Sequence, residues 1–355
     1  MSFGLQTFSP SGKIQLDTTK GGLLIIDVVI FPHNGWASTS AFYYSATYPE
    51  MVGHDISYQL IPYTQVQSIN TSRYPNVQIT DTNGVPGISV TPMTIGAAPG
   101  LDFTGYKLIV FARPTSAPVN SFGLQMVSEL DGVQLIAESS KLLRYRGYVT
   151  PYSSTVTSPG GSRNNWYRLD NTLGIPANGP VKPILFVEVA EGQYAGIYGD
   201  QGHQSGATDP TYYVAVMSSA GFVPKLFAFT PDYMDQPTTD NDYGLAIYNS
   251  GGQKVYHSNV DFKILQTLGF PAVVTPNYPG SASTPINLPA SCAVPYTSRV
   301  HNVVGPDYVT FSAIGKSGNN LVTTWLVTYY GYEHDTPNLF DGPMAVIDTS
   351  QYLTV

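Results

Sequence analysis

A short motif returns three times along this chain and limits the folds that it can adopt. Ser2-Phe3-Gly4-Leu5-Gln6 recurs unchanged at residues 121–125 and in looser form at residues 242–246. The aromatic residues Phe3, Phe122 and Tyr243 are spaced by 119 (122 − 3) and 121 (243 − 122) positions, and a Gly-containing turn follows each copy. Apolar residues alternate within the copies, as in a half-buried strand. The repeat predicts three equivalent hairpins, with Leu5, Leu124 and Leu245 at matching buried positions.

The surroundings of the hairpins repeat as well. An apolar strand precedes the second copy at residues 106–111 and the third at residues 225–229. The same pairing closes the chain: the apolar strand at residues 325–330 is followed by residues 341–347, which we interpret as a degenerate, truncated fourth hairpin. These patterns predict three modules, at residues 1–117, 118–238 and 239–355, the last with the degenerate terminal hairpin.

The segments between hairpins favour short strands. They are rich in Tyr, Thr and Ser, and the chain holds 34 Gly and 28 Pro scattered as turn formers. Only 11% of residues are charged, against about 25% in an average globular protein, which suits a chain that functions inside an assembly. We therefore expect an all-β protein of tandem β-sandwich-like modules with a repeated hairpin motif.

Charge and cysteine usage argue against several partners. The net charge of −8, with only 16 Lys and Arg, lacks the basic stripe on which nucleic-acid binding depends. Cys292 is the single cysteine, so neither an intrachain disulfide nor a cysteine metal cluster is expected. The longest apolar run, residues 23–31, contains Asp27 and is too short to span a bilayer. The first residues show no export signal.

Two motifs offer candidate catalytic groups. Glu188 and Glu191 could form a glycosidase pair, but a separation of three on a strand puts them on opposite faces, and solvated acids at a strand end are the simpler interpretation. Gly315-Lys316-Ser317 matches the end of a phosphate-binding loop, yet the first glycine of that motif is replaced by Thr310, which favours a hairpin turn. The six histidines are isolated from one another. We predict no enzymatic activity and no catalytic, cofactor or metal site.

Two further clusters have a functional and a structural interpretation. Four acids in a linker could bind calcium or simply be solvated: Asp232, Asp235, Asp240 and Asp242. The tyrosine pairs Tyr43-Tyr44 and Tyr329-Tyr330 could stack on sugars of a bacterial envelope, although aromatic pairs in β-proteins more often pack across strands.

The hairpin motif resembles that of small β-rich tail proteins of tailed bacteriophages. Those proteins open with an aromatic-Gly-Leu-x-hydrophobic strand, then a turn with Gly, then Asp-Ser or Asp-Thr, and residues 1–18 are similar to this opening. His257 in place of the usual acid and Pro343 in the terminal segment depart from the pattern. The resemblance covers about a third of the chain.

The resemblance implies a virion protein of the tail tip or fibre region, made in the host cytoplasm. Its implied partners are other tail proteins and further copies of itself, with a host surface glycan or protein as another candidate. The alternatives that stay open are a receptor-binding or glycan-binding module and a glycan-cleaving tail enzyme. The family has no catalytic residues to carry over.

Overall fold

The computed structural model shows an all-β protein, as the sequence predicts. It describes residues 6–8, 14–17, 21–22, 24–32, 43–68, 73–94, 100–114, 123–128, 132–137, 143–151, 156–157, 163–169, 173–175, 183–201, 213–231, 245–248, 254–258, 263, 265–269, 271–274, 280–297, 300–302, 308–329 and 342–353. A short 3₁₀ helix (Pro49–Met51) and a one-turn helix α1 (Ser350–Leu353) accompany the strands.

The strands are numbered in chain order. The first predicted module contains β1 (Gln6–Phe8), β2 (Ile14–Asp17), β3 (Gly21–Gly22), β4 (Leu24–Pro32), β5 (Tyr44–Thr47), β6 (His54–Ser68), β7 (Arg73–Thr82), β8 (Val85–Thr94) and β9 (Gly100–Pro114). The second contains β10 (Gly123–Ser128), β11 (Gly132–Ala137), β12 (Arg144–Val149), β13 (Val156–Thr157), β14 (Arg163–Arg168), β15 (Ile184–Val189), β16 (Tyr194–Gln201), β17 (Tyr213–Ser218) and β18 (Leu226–Thr230). The third contains β19 (Ala246–Tyr248), β20 (Lys254–His257), β21 (Gln266–Thr267), β22 (Ala272–Val273), β23 (Ala282–Pro285), β24 (Cys292–Val294), β25 (Val300–Asn302), β26 (Tyr308–Ser317), β27 (Asn320–Tyr329), β28 (Gly342–Pro343) and β29 (Ile347–Asp348).

Three hairpins form where the motif predicts them. β1 pairs with β2, β10 with β11, and β19 with β20, all antiparallel. The first and third share one register: Gln6↔Asp17, Thr7↔Leu16 and Phe8↔Ile14 become Ala246↔His257, Ile247↔Tyr256 and Tyr248↔Lys254. Every residue shifts by 240, and the bulge falls at the same place. Leu245 is half-buried, whereas Leu5 and the side chain of Leu124 lie outside the described residues.

Each hairpin is followed by strands in one repeated arrangement of two sheets. The inner sheets of the first two sets have the order β4-β9-β6 and β12-β18-β15. In the third set the middle strand is divided into β28, which pairs with β22, and β29, which pairs with β24. The outer sheets have the order β5-β8-β7, β14-β17-β16 and β23-β27-β26. The chain visits the strands of each set in the same sequence, so the two-layer arrangement is built three times.

The register of the inner sheets repeats down to a β-bulge. Residues 24, 25 and 27 of β4 lie opposite 112, 111 and 110 of β9. Residues 144, 145 and 147 of β12 lie opposite 230, 229 and 228 of β18. The shifts are 120 (144 − 24) and 118 (230 − 112), and Ile26 and Arg146 are the extra residues of equivalent bulges. In the third set, Val29↔Leu108 and Pro32↔Gly105 become Gly269↔Val346 and Ala272↔Pro343.

Alternate residues of the inner sheets enter two different cores, as the period of a strand dictates. One set packs against the outer sheets, for example Leu108 and Val110 with Ile88. The other set forms a central cluster that draws on all three predicted modules: Ile25, Ile109, Phe111, Leu143, Ile184, Phe186, Phe227, Phe229, Leu265, Ala293, Ala345, Ile347 and Tyr352. The inner sheets therefore share a core.

Several sheets extend across the predicted module boundaries. β15 pairs with β24 and β16 with β26, which joins residues of the second and third modules, and β3 of the first module pairs with β21. The terminal segment also pairs differently from the degenerate hairpin that the sequence suggests, because β28 joins β22 and β29 joins β24. Residues 342–348 take the place that β9 and β18 occupy earlier. The division into modules itself stays a prediction.

Candidate functional site

Two of the polar side chains that the sequence singled out, Glu191 and Lys316, lie at the junction between the second and third modules. β16 and β26 meet there through Tyr194↔Gly315 and Ala195↔Ile314. A Cβ atom at Gly315 would lie 2.2 Å from the Gln193 carbonyl oxygen and 2.5 Å from the Tyr194 ring. Real Cβ atoms do not approach that closely, so the junction requires glycine at this position.

Glu191 and Lys316 hold the backbone of this junction. Both carboxylate oxygens of Glu191 accept a hydrogen bond from the Gly318 N–H, each at 3.0 Å. The buried Lys316 donates from Nζ to the Pro289 carbonyl oxygen at 2.6 Å, and its own carbonyl accepts from the Gly192 N–H. Residues 315–317 lie in β26, just before the turn into β27, so this segment is the end of a hairpin strand.

Glu188 is engaged separately from Glu191. Its carboxylate accepts one hydrogen bond from the Lys225 backbone N–H at 2.9 Å and one from Lys225 Nζ at 3.1 Å. Lys225 directly precedes β18, which pairs with the strand of Glu188. The ion pair therefore fastens the start of β18 to β15, and the two glutamates serve different backbone segments.

Cys292 lies beside this junction as a buried thiol. Its side chain is fully buried, and burial raises the pKa of the thiol to about 12, with the Lys316 charge acting in the opposite direction. A thiol with this pKa remains protonated at neutral pH and is a weak nucleophile. In this structure, Cys292 contributes to packing between β15 and β29.

The first module meets the second through an amide. Gln59, on β6, is 1% exposed. Its Nε2 donates to the Leu185 carbonyl oxygen at 2.9 Å, while its Oε1 accepts from the Leu185 N–H at 3.3 Å. One side chain thus satisfies both backbone groups of Leu185, in the way that a neighbouring strand would.

A carboxylate with two phenols lies within the first module. The hydroxyls of Tyr44 and Tyr48 both donate to Asp27 Oδ2, the second at 3.1 Å. Burial, together with the hydrogen bond to Asp27, raises the pKa of Tyr44 to about 12, and burial also raises the pKa of Tyr48. The cluster connects β4 to β5, so Tyr44 has a structural role while its neighbour Tyr43 is 63% exposed.

The remaining candidates are distributed as follows. Asp232, Asp235, Asp240, Asp242 and Tyr330 lie outside the described residues, as does the side chain of Tyr329. Within the described ranges, no three His, Cys, Asp or Glu side chains gather in a way that could hold a metal ion. Burial lowers the pKa of His54. Among the described helices, none has the length and apolar character needed to cross a membrane.

Sequence reasoning missed Gln59 and the turn at Asn83-Gly84. Both turn residues have positive φ, 57° and 81°, as the two-residue turn of a tight hairpin requires. The Asn-Gly pair between two apolar runs was a readable signal of that hairpin. Gln59 had no comparable signal, because its partner lies 126 residues away.

Comparison with protein families, with curated proteins and with solved structures finds no match to this chain.

Proposed function

We propose that this protein is a structural component of a bacteriophage virion, located in the tail tip or fibre region, where it contributes to tail assembly. The observation that carries the proposal is the threefold repetition of a hairpin followed by two sheets. The first and third hairpins share one register, and the first two inner sheets share a bulge. The hairpin is the element that resembles tail proteins, and it opens each of the three sets of strands. In this role the chain assembles with other tail proteins and with further copies of itself, and the assembly forms a scaffold.

The polar groups of the junction support a scaffold role. Glu188, Glu191 and Lys316 each bind a backbone group in a segment that connects strands. A shared central cluster joins the inner sheets. A protein that transmits load along a tail benefits from such cross-connected sheets, because local opening of one sheet then costs contacts in the others.

A pull-down against components of dissociated virions, run beside a glycan array, tests the proposal. We expect the purified full chain to retain tail proteins and to bind no glycan strongly. Detection of the chain in purified virions by mass spectrometry is the second expected result. Strong glycan binding by the isolated protein, with no tail protein retained, would overturn the structural role.

Exposed tyrosines favour a second function, the recognition of a host surface glycan. Tyr43 is 63% exposed, Tyr248 is 48% exposed and Tyr148 is 38% exposed. Exposed aromatic rings stack on the apolar faces of sugars. If this function holds, Tyr43→Ala should reduce glycan binding at least several-fold, while Val274→Ala, at another exposed apolar position, should leave it unchanged.

A further inference from the structure

The outer edge of β7 differs from the equivalent edges of the other two sets of strands. β7, β16 and β26 occupy the same place in their outer sheets. β16 pairs antiparallel with β26 over two residue pairs, and β26 pairs over three more with β25. Among the strands that the structure describes, β7 pairs only with β8.

The hairpin turn shows which backbone groups this edge presents. Thr82 lies opposite Val85 across the two-residue turn Asn83-Gly84, so these two form the hydrogen-bonded pair that closes the hairpin. Hydrogen bonding to β8 then alternates along the strand. Val77, Ile79 and Asp81 direct their N–H and C=O groups away from β8. The backbone of Pro75 also faces away from β8, so its lack of an N–H costs no hydrogen bond to that strand.

Among the described residues, little protects this edge against pairing. Gln78 and Ile79 are both exposed, Ile79 by 37%. Residues 74–80 contain no charged side chain. An uncharged strand edge is a template for another strand, and natural proteins usually block such edges with charges or bulges.

We propose that β7 pairs antiparallel with β7 of a second copy of this chain, across a twofold axis, to form a homodimer with a continuous outer sheet. Antiparallel pairing of outer-sheet strands from different sets already occurs within the chain, over two residue pairs between β16 and β26. The charges of the strand are compatible with self-pairing, since Arg73 begins β7 and Asp81 lies near its end. Antiparallel pairing brings these ends together across the axis. The dimer does not depend on the virion role, so either proposal can fail alone.

Sedimentation velocity of the full chain over a range of concentrations tests the dimer. We expect the wild-type protein to be dimeric. Ile79→Pro removes one outward N–H from each copy and should raise the dimer dissociation constant about tenfold or more. The matched variant Ile79→Thr keeps the N–H and should remain closer to wild type. A wild-type monomer at all concentrations, or a dimer that Ile79→Pro leaves unchanged, would show the proposal to be wrong.

Hydrogen exchange resolved to single amides gives a second measurement on unmodified protein. In the dimer, the amides of Val77, Ile79 and Asp81 should exchange as slowly as those of Gln78 and Thr80, which bond to β8. On dilution to monomer, only the first three should become fast. Fast exchange of these three amides in a confirmed dimer would place the interface elsewhere and contradict the proposal.

Discussion

The junction between the second and third modules and the contact of the first module with them are built differently. β15 pairs with β24 and β16 with β26, so the second and third modules join through both of their sheets. The first module has no such pairing of its longer strands with the others: β6 contacts β16, the Gln59 amide binds Leu185, and β3 pairs with β21 over two residues. Its outer sheet keeps β7 as an edge within the described residues.

This difference shows that one repeated arrangement of strands supports two kinds of joint. A joint made of backbone pairing depends on close approach, and hence on a glycine such as Gly315. The contact of Gln59 with Leu185 depends instead on one side chain. Substitutions in the shared core and at each joint should therefore differ in their effect on stability.

The largest effect should follow truncation in the central cluster. Phe229 is fully buried and packs against Phe186 and Tyr352, with ring centroids at 5.4 and 5.2 Å. Phe229→Ala should lower the free energy of unfolding by about 3–5 kcal/mol. Because the cluster is shared, we expect one cooperative transition to shift in denaturant titrations. Two transitions, of which only one moves, would show that the modules unfold independently; Val223→Ala, at an exposed site, is the control.

A side chain at Gly315 should weaken the backbone joint. Gly315→Ala would force its Cβ into the Gln193 carbonyl and the Tyr194 ring, at a cost of about 3 kcal/mol. Thermal unfolding followed by circular dichroism measures the change. The neighbouring exposed residue gives the control, since Ser317→Ala should be close to neutral. Equal stability of both variants would mean that β16 and β26 are not in close contact.

Loss of the Gln59 amide should weaken the side-chain joint by less. Gln59→Leu keeps the volume but leaves the Leu185 N–H and C=O without their partner, which costs about 1–3 kcal/mol. Faster exchange of the Leu185 amide should accompany the loss. Gln78→Leu, on the exposed surface of the same module, is the matched control. A Gln59→Leu protein with unchanged exchange at Leu185 would contradict this role for Gln59.

The ion pair between Glu188 and Lys225 should contribute little. The two side chains are 16% and 32% exposed, so solvent screens the attraction. Glu188→Gln retains an acceptor for the Lys225 N–H, and we expect a loss below about 1 kcal/mol that shrinks further in high salt. A loss above that, insensitive to salt, would indicate a stronger role for the charge.

The smallest effect concerns the phenol at Asp27. The pKa of Tyr44 rises from 10.0 to about 12 in the folded protein. Its contribution to stability is therefore complete below pH 10 and is lost as the pH rises through about 12. The difference in ultraviolet titration between wild type and Tyr44→Phe isolates this group. Asp27→Asn should lower the pKa of Tyr44 that this titration measures. An unchanged pKa would show that Asp27 does not influence Tyr44.

The sequence predicts the local structure better than the pairing of strands. Alternating apolar residues and Gly-containing turns were sufficient for the all-β class and for the three hairpins. They could not show that residues 342–348 complete an inner sheet, because period-two alternation marks a strand without naming its neighbour. The bulges at Ile26 and Arg146 also escaped prediction, since one extra residue leaves little trace in composition. The contact between Gln59 and Leu185 could not be predicted either, because the two residues are 126 positions apart and only the fold brings them together.

The central cluster has a consequence for how the protein is made. It joins Ile25 to Tyr352, so its first member leaves the ribosome long before its last. The inner sheet that contains Ile25 must wait with part of its apolar surface uncovered until residues 345–352 arrive. Contacts this distant in sequence slow folding and expose the nascent chain to aggregation. The yield of soluble protein should therefore depend more on the rate of synthesis and on chaperone binding during this interval than on the stability of the finished fold.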